Sequence, residues 1–348
     1  MSHHLDLDRR RFLGAAMATV GVSGLAARSG QSGGGTPPSS RINGTPATSG
    51  SLGTLKQIAA GVLNVGYAEA GPSTGRPVIL LHGWPYDIHS FAEVVPLLAS
   101  AGFRVIVPYL RGYGTTSFLS SDTLRNGQQS AFAVDVIALM DALAIDKPVV
   151  AGFDWGARTA NVMAVLWPER LKGIVAVSGY LIASREANLQ PLPPQAEYAW
   201  WYQYYFATER GERGYREHRR DFGKLIWRLA SPKWQFDDTT FERTARSFDN
   251  QDHVRIVIHN YRWRLGLETG ESRFDALEAT LAKAPVISVP AVTLQGDADG
   301  APHPDSGVYA AKFSGPYSHR VITGGVGHNL PQEAPRAFAK AVIDVERL

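Results

Sequence analysis

The chain has 348 residues, of which 44% are hydrophobic, 10% aromatic and 19% charged, a globular composition with enough apolar material for a large core. Its formal net charge is only +3 and no basic cluster with interleaved aromatics occurs, so the pI of 9.0 argues for no nucleic-acid partner. With no cysteine in the chain, disulfides, thiolate chemistry and cysteine-ligated metals are excluded.

Asp8-Arg9-Arg10-Arg11-Phe12-Leu13 resembles a twin-arginine export motif and precedes a mildly apolar run from Leu13 to Ala27. That run is too short and too rich in glycine to span a bilayer stably, so no membrane span is expected. Arg9, Arg10, Arg11 and Arg28 against Asp6 and Asp8 account for two of the three net charges. Residues 1–28 therefore read as a signal peptide, with small residues near Ala26 and Ala27 as a cleavage site. The expected location is the periplasm or outside the cell. Residues 29–53 are nearly all Gly, Ser, Thr, Pro and Ala, the composition of a flexible linker.

From residue 54 the pattern changes. Val78 to Leu81 and Phe103 to Val107 are short apolar runs suited to strands buried on both faces. Apolar spacing predicts a helix over Ser130–Leu143, a strand over Pro148–Gly152, a helix over Gly156–Trp167 that stops at Pro168, and a strand over Leu171–Val177. This alternation predicts a mostly parallel, doubly wound α/β sheet. Residues 181–284 are rich in Trp, Tyr, Phe and Arg at helical spacing, with no strand pattern. Strands resume at Pro290–Gln295 and His319–Thr323, followed by a helix from about Glu333. The expected organisation is a core from 54 to 180, a helical lid from 181 to 284 and the rest of the core from 285 to 348. Ligands of open α/β sheets bind at the carboxyl ends of the strands, beneath such a lid.

Gly152-Phe153-Asp154-Trp155-Gly156 lies between a predicted strand and a predicted helix. This is the Gly-x-nucleophile-x-Gly elbow, which exposes its central side chain above the sheet at a helix N-terminus. The nucleophile position holds Asp154, and that choice restricts the chemistry. A carboxylate attacking a carbonyl forms a labile anhydride, whereas attack on saturated carbon forms a stable ester. Asp154 therefore points to an electrophilic sp3 carbon, as in epoxides and organohalides. In the chain order nucleophile, acid, histidine, His328 follows the last predicted strand in a Gly-rich loop, Gly324 to Asn329. His82, His89, His253, His259, His303 and His319 lack that context. Asp299 is the favoured acid and Asp297 its competitor, since Ser178 to Ser184 contains no Asp or Glu. In this scheme His328 deprotonates the water that attacks the ester and Asp299 holds the imidazole. His82-Gly83-Trp84-Pro85 follows the Val78–Leu81 strand, where hydrolases of this fold place one oxyanion donor. The donors would be the backbone N–H groups of Trp84 and Trp155, whose side chains would wall the substrate pocket.

His82-Gly83-Trp84-Pro85, Arg111-Gly112-Tyr113-Gly114, Gly152 to Ala157 and Gly327-His328 together resemble the α/β-hydrolase-fold epoxide hydrolases, from about residue 54 to the end of the chain. The resemblance implies an α/β-hydrolase fold and a small-molecule epoxide as substrate, and since the sequence shows no metal cluster or nucleotide loop, no cofactor or metal is expected. It also implies two lid tyrosines that assist the leaving alkoxide. Tyr202-Gln203-Tyr204-Tyr205-Phe206 is similar to the first lid motif and matches Tyr202, with Tyr204 as the alternative and a candidate substrate contact. Asn260-Tyr261-Arg262 is similar to the second and matches Tyr261. Haloalkane and fluoroacetate dehalogenases share the same nucleophile and are the alternative. Fluoroacetate dehalogenases carry Arg directly after the nucleophile and again three residues later; this chain has Trp155 and Arg158, half of that clamp. Haloalkane dehalogenases carry Asn or Glu where this chain has Trp84. Both departures favour epoxides, and Arg158 is expected either on a helix surface or facing the pocket, where it would favour an acidic substrate.

Overall fold

The computed structural model describes Leu52 and residues 54–348, so the expected signal peptide and nearly all of the expected linker lie outside the described residues. Nine strands form one sheet: β1 Thr54–Ala60, β2 Leu63–Ala70, β3 Arg76–Leu81, β4 Phe103–Pro108, β5 Ser117–Phe118, β6 Val149–Gly152, β7 Gly173–Val177, β8 Ala291–Gly296 and β9 Tyr317–Ile322. Their order is β1-β2-β4-β3-β6-β7-β8-β9, with β5 paired to β2. All pairings from β4 to β9 are parallel, while β1, β2 and β5 join antiparallel. The crossing back from β4 to β3 and then outward to β6 winds the sheet in both directions from its centre.

The central strands are apolar runs because both of their faces are covered. Val78 to Leu81, Val105 to Val107, Val149 to Ala151 and Ile174 to Val177 are all buried. The helices Val94–Ser100, Gln129–Ala142, Trp155–Leu166 and Pro335–Val345 supply those covers. Arg111 and Asp135 are buried together in a two-pronged ion pair at 2.6 and 2.7 Å, and Arg111 also donates to Asn126 O at 2.7 Å. Their burial in the core is tolerated because each charge meets its opposite with good geometry.

Between β7 and β8 the described chain is mainly helical, from Arg185–Asn188 through Glu209–Ala230 and His253–Arg264 to Asp275–Leu281, with one isolated bridge from Ile287 to Phe313 before β8. The helix Glu209–Ala230 kinks at His218, where φ is −122° and ψ 26°. An apolar seam packs this segment onto the sheet ends, with Phe206, Trp227, Phe241, Ile256 and Val257 buried. Among the described residues no helix is long and apolar enough to cross a membrane. The expected final helix is Pro335–Val345, preceded by a short helix, Leu330–Glu333; Pro335 lacks the N–H needed to continue the first and opens the second.

Candidate active site

The turn after β6 sets Asp154 at φ 51°, ψ −122°, a conformation that a side chain adopts only under constraint. Two glycines make the turn possible. A Cβ on Gly156 would lie 1.9 Å from Leu81 O, and one on Gly83 would lie 2.3 Å from the Asp154 Cβ. Asp154 thus stands at the head of the helix Trp155–Leu166, at the carboxyl end of the sheet. The Trp84 N–H, just beyond β3, donates to Asp154 Oδ1 at 2.7 Å. That contact fixes one carboxylate oxygen and leaves Oδ2 toward the cavity and His328.

His328 sits 3.1 Å from Asp299 Oδ2 through Nδ1 and 3.5 Å from Asp154 Oδ2 through Nε2. Asp299 is fully buried beneath it and accepts from the Ala301 N–H at 2.9 Å. Asp297, the competing acid, stands elsewhere: its oxygens accept the backbone N–H groups of Gly324, Gly325 and Val326 at 2.8–3.0 Å. The geometry therefore assigns the two aspartates different work, Asp299 at the imidazole and Asp297 holding the loop that carries it. Ser231 and Glu333 brace the same loop. Ser231 Oγ accepts the His328 N–H at 2.9 Å and donates to Glu333 Oε1 at 2.7 Å, and Glu333 Oε2 accepts the Gly327 N–H at 2.6 Å.

Charge follows from this placement. Burial would raise the Asp154 carboxyl, but His328, Arg158 and the Trp84 N–H outweigh it and hold the group below its ordinary value. Burial opposes a charged His328, yet Asp299 and Asp154 on either side hold its proton well above the usual imidazole range. The resting site is thus a carboxylate–imidazolium–carboxylate array, with both ring nitrogens donating.

A cavity of about 320 Å³ opens over Asp154 and is lined by residues of both the core and the inserted helices, among them Trp84, Trp155, Tyr202, Tyr261 and His328. This volume is at the small end for ligand sites. Tyr202 comes from the helix Trp201–Ala207 and Tyr261 from the helix His253–Arg264. Their rings are 5.4 Å apart, edge to face, and each lies against Trp84. Burial and the nearby Asp154 charge push Tyr202 up to about 12. Burial, Tyr202 and Asp154 push Tyr261 well above its ordinary value. Both phenols therefore stay protonated at neutral pH.

Trp84 itself is held by a buried chain of hydrogen bonds. Its indole N–H donates to Tyr215 Oη at 2.8 Å, and Tyr215 Oη is 2.8 Å from His253 Nε2. His253 Nδ1 is 3.0 Å from Gly112 O, a carbonyl that only accepts, so Nδ1 carries the proton and Tyr215 donates to Nε2. Burial holds His253 down to about 3, keeping it neutral. A similar logic applies to His82, whose Nε2 accepts the Leu110 N–H while Nδ1 donates to Gly83 O.

The structure brings Asp154, Asp299, His328, Tyr202, Tyr261, Trp84, Trp155 and Arg158 to one locus, and it corrects the placement of Tyr204. That residue is 49% exposed, and its hydroxyl donates to Glu197 on the outer side of the lid. The reason is helical phase: Tyr204 is two residues from Tyr202, and residues two apart face different ways on a helix. Arg158 faces the cavity and is not a surface residue. Arg264, also on the cavity wall, escaped the sequence reading. Its spacing of three from Tyr261 placed it on the same helix face, a usable signal. Ser231, Tyr215 and His253 carried none, because each acts on a residue distant in sequence. Among the described residues no group of three or more His, Asp or Glu is placed to hold a metal ion.

Residues 76–220 match the family model described as the alpha/beta hydrolase fold. Epoxide hydrolase B of Mycobacterium tuberculosis is 32% identical over 162 residues, 41% of this chain and 44% of that protein. Epoxide hydrolase 3 of Siraitia grosvenorii is 36% identical over 118 residues, 34% of this chain and 37% of that protein. The chain thus matches less than half the length of these curated relatives. Potato epoxide hydrolase I, at 20% identity and a TM-score of 0.67, shares the fold over 84% of this chain and 99% of its own. A Klebsiella pneumoniae protein of known structure, provisionally assigned as an epoxide hydrolase, is 61% identical with a TM-score of 0.84, covering 84% of this chain and 97% of that one. On that near-complete match, and with an aspartate in the nucleophile elbow, the chain belongs to the α/β-hydrolase-fold epoxide hydrolase family.

Proposed function

We propose that this protein is an epoxide hydrolase that opens a small epoxide to a vicinal diol through an ester on Asp154. The observation that carries this reading is the pair of protonated phenols, Tyr202 and Tyr261, in the same small cavity as the Asp154 carboxylate. An epoxide leaves as an alkoxide, a strong base that needs a proton donor, whereas a halide leaves as a stable anion and needs none.

In the first step Asp154 Oδ2 attacks an oxirane carbon. The new C–O ester bond forms as the ring C–O bond breaks, and the released alkoxide takes a proton from the Tyr202–Tyr261 pair. The resulting phenolate recovers that proton from the imidazolium of His328. Esterification has by then removed the Asp154 charge, one of the two that held the His328 proton in place. His328 thereby becomes neutral and able to act as a base. In the second step it takes a proton from water through Nε2, and the hydroxide adds to the ester carbon. The Trp84 N–H, already 2.7 Å from Asp154 Oδ1, holds the oxyanion that develops there. Collapse expels the diol alkoxide, which His328 protonates; the carboxylic acid left on Asp154 then gives its proton to His328, which restores both the carboxylate and the imidazolium. Asp299 orients the imidazole and balances its charge throughout.

The test is a panel of small epoxides, fluoroacetate and haloalkanes, assayed for diol and for halide release. Diol from epoxides with little or no halide release supports the reading. Halide release without diol formation replaces it with a dehalogenase. The N-terminal Arg9-Arg10 motif supports a further part of the proposal, twin-arginine export to the periplasm or beyond, with residues 1–28 removed.

A further inference from the structure

Two cations in the cavity wall make no bond and transfer no proton in the reaction above. Arg158, in the first turn of the elbow helix, donates from Nε to Leu181 O at 2.9 Å. Its terminal nitrogens form no ion pair with any described carboxylate. Arg264 ends the helix that carries Tyr261, and its guanidinium lies 5.7 Å from that ring. Its Nε is buried with no hydrogen-bond partner, and it too forms no ion pair among the described residues. The two share the wall of one cavity, where their charges oppose one another, and burial first and then the Arg264 charge hold Arg158 down to about 10. Both line the cavity over Asp154, and no other carboxylate lines it.

Bringing two guanidiniums together in a desolvated wall is unfavourable unless an anion joins them. Arg is suited to that role because its planar fork matches a carboxylate. With the His328 imidazolium matched by the buried Asp299 beside it, the pair exceeds Asp154 by one unit of charge. One carboxylate neutralises that excess, whereas a phosphate dianion overshoots it. We propose that Arg158 and Arg264 form an anion-binding end of the cavity, and that the preferred substrate is a small epoxide carrying a carboxylate. This rests on the epoxide hydrolase reading for its reaction, though not for its binding. The arginines offset the repulsion that the carboxylate of such a substrate would meet from Asp154. The aromatic walls of Trp84, Trp155 and Tyr202 would take its apolar body.

The test separates binding from turnover. Binding is followed through the fluorescence of the cavity tryptophans, with 3-phenylpropanoate and its neutral amide as unreactive probes. The intact protein should hold the acid more tightly than the amide by roughly 10- to 100-fold, the range for a charge-assisted contact. Arg264→Met and Arg158→Met should each bring that ratio toward one, and Arg264→Lys should recover part of it. The ratio of kcat/KM for 3-phenylglycidate over its amide should fall in step, chiefly through KM. Equal binding of acid and amide by the intact protein overturns the proposal and depends on no variant folding. So does an equal loss on both substrates in the Met variants, which would mean that the arginines act on the tyrosines instead. If the binding preference stands and collapses in Arg264→Met while neither epoxide is opened, the anion-binding end holds and the epoxide reading fails.

Discussion

Replacing Tyr202 and Tyr261 by Phe, singly and together, separates epoxide chemistry from every other use of Asp154. The rings make the packing contacts: Tyr261 stands 5.4 Å from Trp84, Tyr202 and Phe206 and 6.1 Å from Trp155. Phe retains all of these, so the loss reports the hydroxyl. Each single variant leaves one donor to a developing alkoxide, and losing one hydrogen bond to a charged group costs about 1.5–3 kcal/mol, or roughly 10- to 100-fold in rate. The double variant has no acid and should lose about 10²–10⁴-fold. Burial raises both phenols, so both enter the reaction protonated and either can donate in the absence of the other. Diol formation from a small epoxide, measured under single-turnover conditions, gives the rates. A double variant that opens epoxides within about threefold of the original rate would refute the reasoning.

Three further outcomes are expected. His328→Ala should form the Asp154 ester and fail to hydrolyse it, so intact mass spectrometry should find protein plus substrate; normal turnover by unmodified protein would remove His328 from the scheme. In the resting protein the His328 proton is held by two carboxylates, and in the ester by Asp299 alone. The pKa governing ester breakdown should therefore be lower than that of the resting imidazole followed by NMR, with hydrolysis rising as pH increases through the lower value; the reverse order would contradict the charge array. Gly156→Ala should destabilise the protein by at least about 1–3 kcal/mol, since its Cβ would fall 1.9 Å from Leu81 O, although Gly→Ala within a helix normally stabilises it. Denaturant midpoints decide the sign.

The parts of the fold visible in the sequence are those whose burial is uniform. Val78 to Leu81 and Leu171 to Val177 announce central strands because both faces of those strands are covered. β1 and β2 escaped notice because they form an antiparallel edge in which Lys56, Gln57, Asn64 and Glu69 interrupt the apolar run. The helix Val94–Ser100 is only seven residues long, too short to show a helical period beside the buried 3-10 turn that precedes it. Within the site, the elbow and the His328 loop are local motifs and could be read directly. The choice between Asp297 and Asp299 could not, because both follow β8 and only the loop geometry shows which one reaches the imidazole. Tyr204 was misplaced because a motif names a residue without its helical phase. Arg264 was missed because arginine in a helical lid usually faces solvent, and its spacing of three from Tyr261 was the one local sign that this one turns inward.

The central claim is that Asp154 is alkylated and that water then attacks its own carboxyl carbon. A single turnover in heavy-oxygen water, with enzyme in excess over a small epoxide, tests it directly. The account predicts heavy oxygen in the Asp154 carboxylate, found by peptide mass spectrometry, and none in the first diol released. Heavy oxygen in that first diol, with Asp154 unlabelled, would mean direct attack of water on the epoxide and would contradict the account.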